Sequence, residues 1–230
     1  MLELVKISYL VTGGSRTKIL DQISHRFRPN SLTVITGPNG SGKSTLAEII
    51  MGLKTPTAGQ ILLDKNDITR LNTTDRAKLG IAYSFQQPVT FKGLTVYDLI
   101  NIASGELISP KEATKCLKKV GLTADYLSRE VNQKLSGGEL KRIEIATILA
   151  RNAEIIIFDE PEAGIDLWSF DNLLKVIKKL KTDKTLIIIS HQEKILKLAD
   201  EIIILKNGKI QYQGTSAKIL PKIGEHHGTN

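Results

Sequence analysis

The stretch Gly37-Pro38-Asn39-Gly40-Ser41-Gly42-Lys43-Ser44-Thr45 follows directly on the apolar run Leu32-Thr33-Val34-Ile35-Thr36. Its spacing, a glycine, four residues and then Gly-Lys-Ser, is that of a phosphate-binding loop between a strand and a helix. Three glycines remove the Cβ atoms that would keep backbone from curling around a phosphate chain, so successive N–H groups can converge on the oxygens. The residues from Ser44 to Met51 read as a helix. Its free N-terminal amides and partial positive charge face the same anion. Lys43 is placed to reach the β and γ phosphates, and the Ser44 hydroxyl to ligate magnesium. The competing reading, a glycine-rich turn with an incidental lysine, does not explain why strand, loop and helix all fall where phosphate binding needs them.

Outward from this loop, short apolar runs recur at Leu2 to Ile7, Ser31 to Thr36, Gln60 to Leu63, Ile81 to Ser84, Ile155 to Asp159, Thr185 to Ser190, Glu201 to Lys206 and Lys209 to Tyr212. Ile155-Ile156-Ile157-Phe158 and Leu186-Ile187-Ile188-Ile189 are apolar at every position, which predicts strands of a parallel sheet buried on both faces. The expected fold is therefore α/β with a P-loop core. From about Thr95 to Asn152 the pattern turns helical, broken at Gly105, at Ser109-Pro110 and at Gly121. It reads as a helical lobe of roughly residues 95–152 inserted into a single domain spanning 1–230.

Composition narrows the function classes. The chain has 230 residues, 41% hydrophobic, enough to bury a full core. No run approaches the roughly 18 apolar residues of a membrane span. Met1-Leu2-Glu3-Leu4-Val5-Lys6 carries an acid where a secretory signal is basic and then hydrophobic, so a cytoplasmic protein is expected. The single cysteine, Cys116, excludes a disulfide framework. The net charge of +8 sits largely on lysine-rich helical faces, and aromatics are only 5%. Without aromatic residues interleaved among the basic ones, direct nucleic-acid binding is not expected. The tail Gly224 to Asn230, with His226 and His227, reads as a frayed end.

Further motifs follow. Leu135-Ser136-Gly137-Gly138-Glu139 opens a helical pattern over Leu140 to Ala150. Ser136 and Glu139 satisfy a capping box, yet two glycines inside a cap cost about 1 kcal/mol each in helix propensity. Bare backbone at a helix start is what close approach to phosphate requires. The strand at Ile155 ends in Asp159-Glu160-Pro161-Glu162-Ala163-Gly164-Ile165-Asp166. Beside a P-loop, the first carboxylate is expected to hold magnesium through water and the second to polarise the attacking water. Ser190-His191 puts a histidine just past another buried strand, where it can hydrogen-bond a γ-phosphate.

In this order the motifs resemble those of the ATP-binding-cassette (ABC) ATPases over essentially the whole chain. The resemblance implies a P-loop core with a small antiparallel β subdomain and an inserted helical subdomain, and Mg²⁺-dependent ATP hydrolysis. It implies Lys43 and Ser44 at phosphate and metal, Gln86 as the glutamine whose loop senses partner and metal, Asp159 at magnesium, Glu160 as general base, Asp166 in the intersubunit loop and His191 as the switch histidine. Ser136, Gly137 and Gly138 are implied to contact ATP held by a second subunit, in a head-to-tail dimer. The aromatic that stacks on adenine in the family is missing, its slot falling near Val11 with Tyr9 close by. Arg76 to Ile81, Phe85-Gln86-Gln87-Pro88, Phe91 to Leu94, Glu139-Leu140-Lys141-Arg142 and Glu162 to Asp166 are similar to the SufC-type ATPases. That subgroup implies SufB- or SufD-like scaffold partners in iron–sulfur cluster assembly. The alternative is the nucleotide-binding subunit of a membrane transporter, docking a transmembrane permease near Gln86 to Leu99. A coiled-coil DNA-maintenance ATPase needs heptads that Thr45 to Leu135 lacks, and Glu160 with His191 disfavours a silent ATP sensor.

Overall fold

A computed structural model describes the chain except Gly14, Pro88, Gln133 and residues 228–230; side chains are not described at 12, 13, 15, 16, 167, 168 and 224–227. Pro88 of the SufC-like motif, the side chains of His226 and His227 and the end of the tail thus lie outside the described residues.

Two sheets build the scaffold. In the larger, β3 (Leu32–Thr36) lies between β8 (Thr185–Ile189) and β9 (Glu201–Lys206), with β7 (Ile155–Asp159) and β6 (Ile81–Ser84) beyond β8 and β10 (Lys209–Gly214) beyond β9. All neighbours run parallel except the β9–β10 hairpin. Side chains of successive residues leave a strand on opposite faces. Ile156, Phe158, Leu186 and Ile188 therefore enter one core, under the helices, while Ile155, Ile157, Ile187 and Ile189 enter another. That division explains the uninterrupted apolar runs. The second core is closed by α1 (Lys43–Met51) and by an antiparallel sheet of β1 (Leu2–Gly13), β2 (Ser15–Arg26), β4 (Ala58–Leu63) and β5 (Asn66–Asp67), in the order β2-β1-β4-β5.

The sequence reading missed β2. Its buried Leu20 and Ile23 are three residues apart rather than two, because Gln22 takes φ +53° and the ladder to β1 shifts register between Ile7 and Tyr9. A bulge of this kind erases the alternation by which a strand is recognised.

The helical segment joins two adjacent parallel strands, since β6 and β7 pair from Ile81 opposite Ile155. It comprises α3 (Val96–Ser104), α4 (Pro110–Lys119), a 3-10 turn at Ala124–Ser128 and α5 (Gly137–Arg151). Its breaks fall where the sequence places them. Gly105 closes α3 at φ +76°, and Ser109 caps α4 with Pro110 in its first turn. Cys116 is buried in α4 as a free thiol whose pKa burial raises. The short helix α2 (Thr73–Lys78) precedes β6, and α6 (Leu167–Leu180), α7 (Glu193–Leu198) and α8 (Ser216–His227) bury Leu173, Ile195 and Ile219 in the same core as α3 to α5. No helix among the described residues is long and apolar enough to cross a membrane.

Candidate active site

Strand β3 delivers the chain to Gly37, whose φ is +138° and whose missing Cβ would stand 2.0 Å from the Leu205 carbonyl oxygen. Only glycine fits there. The loop then folds through a Ser41 N–H to Pro38 carbonyl bond of 3.2 Å and enters α1 from Gly42 at φ +98°. No side chain caps that helix start and no acid stands in its first turn, so its N-terminal amides face an anion site without a competitor. Lys43 is buried, and its ammonium donates to the carbonyls of Gly37 at 2.8 Å and Pro38 at 3.0 Å. Burial lowers its pKa, against the opposing pull of Glu160 and Asp159. Among the described residues the buried Ser41 hydroxyl has no hydrogen-bond partner, as expected of a group that a ligand oxygen satisfies.

Asn39, Gly40, Gly42, Lys43, Ser44 and Thr45 line a cleft of about 370 Å³ with Gln86, Glu160 and Ile19. A larger cleft of about 730 Å³ lies between the sheet edges β2 and β10 and contains none of the motif residues. Behind the wall of the smaller one, Ser44 Oγ donates to the buried Asp159 Oδ1 at 3.2 Å and the Tyr83 hydroxyl to Asp159 Oδ2 at 3.1 Å; Asp159 itself does not line the cleft. Burial raises the Asp159 pKa and these two donors partly offset it. Glu160 sits at φ +48°, its carboxylate accepting from the Gln86 amide at 2.8 Å. His191 Nδ1 lies 3.2 Å from Thr36 Oγ1, holding the imidazole beside the end of β3 where the loop begins.

Among the described residues no three His, Cys, Asp or Glu side chains gather into a metal cluster. What converges is a set of hard oxygen donors, Ser44 Oγ and Asp159 Oδ1. That suits Mg²⁺, which takes one or two protein oxygens and completes its shell with water and substrate phosphate.

The signature glycines lie elsewhere. Ser136 caps α5, accepting from Glu139 N–H at 3.2 Å, while Glu139 Oε2 accepts from Ser136 N–H at 2.8 Å. Glu139 also accepts from the Tyr126 hydroxyl. A Cβ on Gly138 would meet the Gly164 carbonyl oxygen at 2.7 Å, so the loop after Glu160 runs against the signature. Ser136 and Gly137 are exposed, and none of the three lines the P-loop cleft. Glu162 is tied to Ser190, the residue before His191, by a hydroxyl–carboxylate bond of 2.5 Å, and burial raises its pKa. Asp166 caps α6 by accepting from Ser169 N–H at 3.0 Å.

Neither Val11 nor Tyr9 lines the cleft; Val11 is solvent-exposed, and the Tyr9 ring lies 6.0 Å from the Lys54 ammonium. The apolar wall is Ile19, on the strand that the sequence did not disclose. Tyr83 was missed as well, because only the pairing of β6 with β7 brings it to Asp159.

Residues 20–163 match the protein-family profile described as ABC transporter. The chain is 36% identical over 227 residues to an uncharacterized ABC transporter ATP-binding protein of Methanocaldococcus jannaschii, covering 94% of this chain and 90% of that protein. It is 32% identical over 229 residues to an energy-coupling factor transporter ATP-binding protein of Thermotoga maritima, covering 96% of this chain and 85% of the relative. Among solved structures, a dimeric ATP-binding cassette in a post-hydrolysis state bound to ADP and Pi superposes with TM-score 0.86 at 27% identity, covering 94% of this chain and 99% of that one. Motif order, cleft geometry and these likenesses agree: the chain belongs to the ABC transporter family and is an ABC ATPase.

Proposed function

We propose that the chain is the nucleotide-binding subunit of an ABC membrane transporter, hydrolysing ATP between two head-to-tail copies and passing the conformational change to a transmembrane permease on the cytoplasmic side. One observation carries the hydrolytic reading: Glu160 closes the P-loop cleft with its carboxylate on Gln86, while Ser44 on its wall pairs with the buried Asp159 behind it. The loop Gly37 to Thr45 binds the phosphates, with Lys43 swinging from the Gly37 and Pro38 carbonyls to the β and γ oxygens. Ser44, Asp159 and Gln86 would hold Mg²⁺, which would supply charge neutralisation on those phosphates. Glu160 accepts the proton of the attacking water, and His191 steadies the γ-phosphate from the Thr36 side. Ser136, Gly137 and Gly138 complete the site of the opposite copy.

The iron–sulfur scaffold reading, with a SufB- or SufD-like partner, stands second. The named relatives are described as transporter ATP-binding proteins and support the permease reading instead. Two of the residues that suggested the scaffold have local work that needs no special partner. Glu139 closes a capping box and Glu162 binds Ser190. Pull-down from the native host tests the choice: a polytopic permease is expected, and recovery of a cluster scaffold in its place overturns it.

Replacing Glu160 by Gln tests the chemistry. Turnover of Mg-ATP should fall by about 10²–10⁴-fold with ATP still bound, and hydrolysis at the wild-type rate would remove Glu160 from its role.

A further inference from the structure

Lys141 is fully buried although it lies only five residues past Ser136 on α5. Its ammonium donates to Ser84 Oγ at 3.1 Å and to the Phe85 carbonyl, and lies 3.2 Å from Glu144 Oε2. The other Glu144 oxygen accepts from the Phe85 N–H at 2.7 Å. One pair of side chains thus grips both backbone groups of the residue before Gln86, and Gln86 holds the Glu160 carboxylate. The pair sits on the helix whose first turn carries the signature.

A buried ion pair is a poor source of stability, since apolar residues of similar volume often do as well or better. The neighbours Leu140, Ile143 and Ile145 already supply apolar packing on this helix. What the pair adds is register: α5 cannot rotate or slide without dragging the Phe85 peptide. We propose that Lys141 and Glu144 are positioning residues that set Gln86 against Glu160 according to the position of the signature helix, so that hydrolysis answers to engagement of Ser136 to Gly138 by the other copy. This rests on the catalytic reading of Glu160 and Gln86 above, and adds to it two residues that act through the Phe85 peptide and do not line the cleft.

The test is steady-state Mg-ATP hydrolysis by the full chain. Lys141→Met should lower kcat by about tenfold to a hundredfold, the range expected when a catalytic group is misplaced by about an ångström. KM for ATP should stay within about twofold, because the P-loop is untouched. In a Gln86→Ala background Lys141→Met should add nothing, since both changes break one chain of contacts. Glu144→Gln keeps the side-chain shape and an acceptor for Phe85; it guards against a folding failure and should show the same loss of additivity. Equal fold losses in both backgrounds, or a raised KM with unchanged kcat, would overturn the proposal while leaving the function standing. Wild-type hydrolysis by the Glu160→Gln chain overturns both.

Discussion

Glu139 shows what one carboxylate does at the signature. Its pKa is held down from the ordinary 4.5 to about 2, first by the Tyr126 hydroxyl and then by the amide and hydroxyl of Ser136. A folded-state pKa below the unfolded one means that the unfolded chain takes up the proton first as pH falls. The stabilisation is complete above pH 4.5 and is lost as pH falls from there toward about 2. Glu139→Gln keeps a capping residue but has no charge to lose. Urea midpoints of variant and wild type should differ at neutral pH and converge through that acid window; a gap that stays constant would show that the carboxylate charge is not what holds the cap. The residues that sequence could name, Gly37 to Thr45, Asp159 and Glu160, owe their legibility to chemistry packed into contiguous spans. Tyr83, Lys141 and Ile19 were not legible, because Tyr83 meets Asp159 and Lys141 meets Ser84 only after strands and helices distant in sequence have packed.

At the scale of elements, α1 illustrates how a helix at a candidate site is held at the end remote from the P-loop. Gly52 closes it at φ +84°, donating to the carbonyls of Glu48 and Ile49. Arg76, 1% exposed, then donates to the carbonyls of Ile49 at 2.6 Å, Ile50 at 2.8 Å, Thr69 at 2.8 Å and Leu71 at 3.0 Å. By its sequence position Arg76 has only a place in a subgroup motif; packing makes it the C-terminal anchor of α1. Arg76→Met strands buried carbonyls, so denaturation should show a loss of about 3 kcal/mol or more. A loss below about 1 kcal/mol would mean that water or neighbouring donors replace the guanidinium. Elements with a clean signal were read correctly: the parallel strands from their unbroken apolar runs, the helix breaks from Gly105 and Ser109-Pro110. Strand β2 was lost to its bulge, and with it the apolar wall of the cleft.

Across the whole molecule, the decisive fact is separation. Ser136 and Gly137 point to solvent from the start of α5, while the P-loop cleft has Gln86 and Glu160 on its wall and no signature residue. Under the proposed function, a chain whose two phosphate-gripping helix starts do not meet completes each site with another copy, and two-fold symmetry then makes two equal sites. Complementation puts this to the test. Lys43→Ala disables the P-loop of one chain, and Ser136→Phe blocks the signature of another. Each alone should be inactive. When they are mixed in equal amounts, half of the dimers pair one chain of each kind, and in these one site joins an intact P-loop to an intact signature. Activity should therefore return to about a quarter of wild type if the two sites turn over independently. If hydrolysis needs both sites loaded, the return is smaller, but the mixed dimer still forms on ATP and retains it at one site. A mixture that neither hydrolyses ATP nor forms an ATP-dependent dimer would mean that the signature serves its own chain, and the head-to-tail arrangement would have to be abandoned.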